Sequence, residues 1–101
     1  MSPSIFIDLL KGKGFCFRIK TKGHEMNGQW SQWLIQPSPS YFETEQDGPV
    51  VLRDMEWIEI KPKKDGSKAG EVEFENVIRE LTLQNIAVEI QDGFIKVFIP
   101  F

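Results

Sequence analysis

Apolar and polar residues alternate through most of the first sixty positions. Residues 5–10 (IFIDLL) and 15–22 (FCFRIKTK) flank KGKG, whose glycines can supply the positive φ angles of a tight connection, so the pattern predicts a β-hairpin. A four-residue loop would put Gly14 in the left-handed position. A three-residue loop instead aligns Ile5, Ile7 and Leu9 with Phe15, Phe17 and Ile19, and is preferred because one face is then apolar throughout. Residues 29–36 (QWSQWLIQ) read as a third strand rich in β-formers. PSPSYFETEQDGP, with three prolines and an Asp-Gly, predicts a long mobile connection over 37–49. Residues 50–53 and 55–61 read as two short strands or one bent strand with a bulge, and KPKKDGSKAG as a solvated turn.

Helical spacing occurs once. Phe74, Val77, Ile78 and Leu81 make a single stripe, predicting a helix over 71–84 with Glu71, Glu73 and Glu75 near its positive end and Asn85 as a left-handed stop. In the last segment, Asp92-Gly93 as a type I′ turn sets Ile90 opposite Ile95, Val88 opposite Val97 and Ile86 opposite Ile99, with Glu89 facing Lys96 on the other side. The fold expected is α+β: a curved, mainly antiparallel β-sheet of five to seven strands, with barrel-like closure left open. One α-helix near the C-terminus is followed by the β-hairpin, and residues 1–101 form a single domain. Residues 74–100, through LTLQNIAVEIQDGFIKVFIP, resemble the helix-hairpin docking modules of modular biosynthetic enzymes.

Composition narrows the class only slightly. With 41% hydrophobic and 27% charged residues, the 101-residue chain is an ordinary globular one. It has no run of ~20 apolar residues that would span a bilayer. The opening MSPSIFIDLLKGKG reads as no signal peptide, and Cys16, the lone cysteine, can form no intrachain disulfide, so a reducing, cytoplasmic setting is expected. Charge is unevenly spread. Lys11, Lys13, Arg18, Lys20 and Lys22 face only Asp8 in the first 22 residues, whereas Glu43, Glu45, Asp47, Asp54, Glu56 and Glu59 face only Arg53 between 43 and 59. Such blocks form solvated faces or steer a charged partner.

The stretch KGFCF resembles the first ribonucleoprotein motif of RNA-recognition and cold-shock domains, in which strand aromatics stack on bases. Exposing Phe15 and Phe17 would turn Arg18, Lys20 and Lys22 into the core at several kcal/mol each. The opposite facing buries the rings and leaves the cations in water, so nucleic-acid binding through these rings is disfavoured. Cys16 and His24 stand too far apart along an extended chain for a nucleophile and base. Glu43, Glu45 and Asp47 lack the calcium-loop pattern, and no Gly-Lys-Ser/Thr opens a helix. No metal or cofactor is expected.

Aromatics beside acids are the remaining feature. Trp30 and Trp33 fall on opposite faces of any strand through 29–36, so one is exposed or capped by the 37–49 loop. Trp57 lies opposite Ile58 and Ile60, which puts it on the surface among acids if the isoleucines point inward. The function expected is a non-enzymatic protein-binding module, a small acidic cytosolic inhibitor of the toxin-immunity kind that occludes a basic protein partner. Tyr41, Phe42 and Trp57 would be its anchors, and Glu43, Glu45, Asp47, Asp54, Glu56 and Glu59 its charges. The alternatives are a single-stranded nucleic-acid-binding sheet using Lys11, Lys13, Phe15 and Phe17, and a small enzyme whose site forms on assembly.

Overall fold

The computed structural model describes residues 2–23, 28–63 and 68–98, with backbone alone for 68–70. His24, residues 64–67 of the expected solvated turn, and the Ile86–Ile99 pair lie outside or across the limits of these residues, while the ends of that expected turn are strand (through Pro62) and helix (from Lys68).

The chain begins with a helix, not a strand. Helix α1 (Pro3–Leu10) starts where the Ser2 hydroxyl accepts the Ile5 N–H and Pro3 occupies the first turn. Phe6 and Leu10, four apart, become its buried side, while Ile5 is exposed, so the Ile5–Phe15 hairpin does not form. Gly12 and Gly14, both at φ +72, reverse the chain into β1 (Phe15–Thr21). After an irregular segment come β2 (Leu34–Ser38), β3 (Tyr41–Thr44) and β4 (Gly48–Val51), a 3-10 turn (Leu52–Asp54) and β5 (Met55–Pro62). Helix α2 (Lys68–Leu83), β6 (Val88–Ile90) and β7 (Ile95–Phe98) complete the described chain.

The strands make two antiparallel sheets, neither closed: four strands in the order β1-β5-β7-β6, and three in the order β2-β3-β4. The smaller sheet occupies the stretch expected to be a loop. Its prolines are admitted because β2, carrying Pro37, and β4, carrying Pro49, are both edge strands, where a missing N–H costs no ladder bond if it faces outward. The third strand expected over 29–36 is shorter and later, although Ser31 forms an isolated bridge with Phe17.

One core joins all layers. Phe15, Phe17 and Ile19 of β1, Ile58 and Ile60 of β5, and Ile95 and Val97 of β7 form the inner face of the larger sheet. Val77 and Leu81 of α2, Phe6 and Leu10 of α1, and Leu34, Phe42 and Val50 of the smaller sheet pack with them. The sidedness of β1 is therefore as expected: its phenyl rings are inside, at 2% and 5% exposure. The helical stripe is also as expected, with Phe74 edge-on to Phe15 at 5.9 Å, and Asn85 at φ 59 ends the helix. In the last hairpin Ile90, Glu89 and Val88 oppose Ile95, Lys96 and Val97 as expected. Of its two turn residues only Gly93 has positive φ, so the turn is not the type I′ that would need Asp92 there as well. Ile90, on the edge strand, stays exposed.

Candidate functional site on the outer face of the larger sheet

The face of this sheet turned away from the core is built by the same alternation. With Phe17, Ile58, Ile60, Ile95 and Val97 inside, the residues between them point out. Strand register then sets Arg18 opposite Glu59, Glu59 opposite Lys96, and Lys96 opposite Glu89, a row of alternating charge across all four strands. Arg18 Nε and Nη2 both reach Glu59 Oε1, at 2.7 and 2.5 Å, and Glu59 is only 2% exposed.

Two aromatic pairs flank the row. On one side Trp57 and Phe98 are cross-strand neighbours with ring centroids 6.1 Å apart; Lys96 Nζ lies 4.1 Å and Lys20 Nζ 5.5 Å from the Trp57 ring. On the other side Trp30, from the irregular segment before β2, meets Phe94 at 6.0 Å; the Arg18 guanidinium lies 4.3 Å and Lys61 Nζ 4.4 Å from the Trp30 ring. Each cation–π contact stabilises by about 0.5–2 kcal/mol, increasing with desolvation. The cations of β1 are consequently not left in water. Lys20 is 8% exposed, with its ammonium bonded to the Thr21 carbonyl and to Glu56.

The acidic block of the sequence does not become one surface. Phe42 is wholly buried, stacked on Phe6, and Glu59 is buried under Arg18; neither is presented to a partner, because each fills a packed position. Glu56 is half-buried and engaged by Lys20. Trp57 is surrounded chiefly by lysines, where the sequence suggested acids. Tyr41 and Glu43 are half-buried on β3, opposite Val51 and Pro49, and Glu45 is exposed, accepting the Gln32 N–H. Asp47 and Asp54 do come together, on the walls of a cleft of about 420 Å³ shared with Lys22 and Val50. Burial raises the Asp47 carboxyl above its usual range, and a hydrogen bond from Thr44 partly opposes this. Cys16 is half-buried in β1, opposite Lys61.

Lys61, Phe94 and Phe98 are site residues that the sequence did not single out, and Arg18, Trp30 and Lys96 were noted there but not assigned to a binding surface. Phe94, Lys96 and Phe98 were readable from the Ile95–Val97 alternation. Trp30 was not, since it reaches the sheet from outside any strand. Among the described residues no group of three or more His, Cys, Asp or Glu is placed to hold a metal ion, and no helix is long and apolar enough to cross a membrane. Comparison with known proteins finds no family model, curated protein or solved structure that matches this chain.

Proposed function

We propose that the protein is a protein-binding module that engages its partner through the outer face of the four-stranded sheet. One observation carries this reading: two aromatic pairs, Trp57–Phe98 and Trp30–Phe94, are pinned by cations on either side of a cross-sheet charge row. Tryptophan and arginine held rigidly on a pleated surface are the residue types that dominate binding energy at protein interfaces, since little side-chain entropy remains to be lost.

Charge balance favours a protein over a nucleic acid on this face. Arg18 and Lys20 are held there by Glu59 and Glu56, and Lys96 stands opposite Glu89, so four cations with Lys61 face three acids, whereas a phosphate backbone would require a larger excess of unpaired cations. The partner surface that fits is itself mixed, with apolar groups for the rings and both signs of charge for the row. The occlusion of a basic cleft suggested by the acidic sequence block receives less support, as Glu59 and Glu56 already have cationic partners. A lone thiol suits a reducing compartment such as the cytoplasm.

The test is quantitative capture from the native host by the wild-type chain and by a Trp57→Ser/Phe98→Ser variant with unchanged circular dichroism. A protein retained by the first and lost by the second, and protecting β5 and β7 amides from hydrogen exchange, supports the reading. Equal capture by both proteins overturns it.

A further inference from the structure

We propose that the cleft between the Lys11–Gly14 turn and β2 is a binding site for a small aromatic anion, separate from the sheet face described above. The cleft has a volume of about 260 Å³. This lies just below the roughly 300–1,000 Å³ of sites for drug-sized ligands, so it suits a ligand of one or two rings.

Its wall is open and in part apolar. Trp33 and Ile35, 41% and 45% exposed, stand along it, and the buried Phe15 and Phe17 also line it. Trp33 and Ile35 are two of eight exposed large hydrophobics among the described residues, and what sets them apart is that they share one cleft, where a stacked ring would remove surface of both from water. Charge then selects the occupant. The eleven lining residues include two cations, Lys11 and Lys63, and no carboxylate, in a chain with 15 acids to 12 Lys and Arg.

Among the described residues neither lysine is held in an ion pair, whereas Lys13, in the same turn, is taken by Glu73 at 3.8 Å. Two carboxylates adjoin the cleft without lining it: Glu45, which accepts the N–H of the lining Gln32 at 3.0 Å, and Glu43, opposite the lining Ile35 on β3. The frame is preset: the Lys63 N–H donates to the Gly14 carbonyl at 2.9 Å, and the Lys11 N–H caps α1 at the Ile7 carbonyl, also at 2.9 Å. Both lysine backbones are thereby fixed at the cleft's rim. A planar anion stacked on Trp33 would have its charge within reach of two ammonium groups and opposed by none from the lining.

The experiment is an amide NMR titration of the full chain with 1-naphthoate, 1-naphthalenemethanol and 1-naphthylmethylammonium. Saturable naphthoate shifts are expected at Gly12, Gly14, Trp33 and Ile35, with the neutral probe weaker and the cation weakest. Two exposed ion pairs together amount to about tenfold in affinity, so Lys11→Gln/Lys63→Gln should weaken naphthoate binding about tenfold with an unchanged far-ultraviolet spectrum. Ile35→Glu, at an exposed edge-strand position, should reverse the preference toward the ammonium probe. Equal binding of the three probes, shifts mapping away from the cleft, or no saturation at millimolar naphthoate would each overturn the proposal. So would ligand-free shifts at these amides that depend on protein concentration, since they would assign the cleft to a second copy of the chain.

Discussion

Glu59 is the residue on which the outer sheet face turns, because its carboxylate sits at 2% exposure with Arg18 laid over it. Removing Arg18 takes from the buried Glu59 a guanidinium that reaches it through two nitrogens. Arg18→Met is therefore expected to lower stability by about 1–3 kcal/mol, while Arg18→Met/Glu59→Met, which removes the buried charge as well, should lose clearly less. Urea midpoints at neutral pH check this; a double variant no better than the single would show that the guanidinium acts through Trp30 and Phe94 instead. Asp47 makes a second test, in pH. Its carboxyl is raised above 3.8 in the folded chain by burial, so the fold binds that proton more tightly than the unfolded chain does. Stability from this group is present below 3.8 and is lost as pH rises through the raised folded value. Asp47→Asn carries no such loss, so its stability relative to wild type should improve from pH 3 upward and then level off. A difference that stays flat or runs the other way would contradict the assignment.

At the scale of elements, the two departures from the sequence pattern have definite causes. Over 5–10 the apolar run satisfies a period of two through Ile5, Ile7 and Leu9, and equally a spacing of four through Phe6 and Leu10. Periodicity cannot choose in so short a run, and the cap does: Ser2 followed by Pro3 is a helix start. Ser2→Ala should accordingly cost about 0.5–1 kcal/mol in a denaturant titration, the lower end of capping effects because the bond is exposed. Over 37–49 three prolines conceal strands, since proline is excluded only where a ladder needs its N–H, and outer strands leave that side unused. Where period and stop residues agreed, as in α2, or cross-strand pairing was apolar and charged in register, as in the closing hairpin, the elements were legible, although the hairpin's turn type was not. Asn85 illustrates this, at φ 59 beyond the last helical turn. Asn85→Gly should be neutral or mildly stabilising and Asn85→Val should cost about 1–2 kcal/mol, an ordering readable from melting temperatures. The candidate site was less legible, because it consists of register. Arg18 meets Glu59 across 41 residues, and Trp30 arrives from an irregular segment, relations that no local window contains.

At the scale of the whole molecule, the question is whether two separate sheets unfold as two bodies or one. Among the described residues no strand pairing connects them, the isolated bridge from Phe17 reaching Ser31 ahead of β2, so their coupling rests on side chains in the common core. Phe42 is central to that coupling: it belongs to the middle strand of the smaller sheet, is fully buried, and stacks on Phe6 of α1 with centroids 6.4 Å apart and planes 9° from parallel. Truncating a buried phenylalanine costs about 3–5 kcal/mol, at least a fifth of the roughly 5–15 kcal/mol that holds a domain of ordinary stability. If the core is one unit, Phe42→Ala must destabilise the far sheet as much as its own. Three tryptophans make the distinction measurable, since Trp33 precedes β2 whereas Trp30 and Trp57 lie on the larger sheet. In single-tryptophan versions, Trp33 and Trp57 fluorescence should report the same urea midpoint in the parent, and both midpoints should fall together on Phe42→Ala. A shift confined to Trp33 would instead mean that the smaller sheet and α1 form a separable unit, with the aromatic face of the larger sheet standing without them.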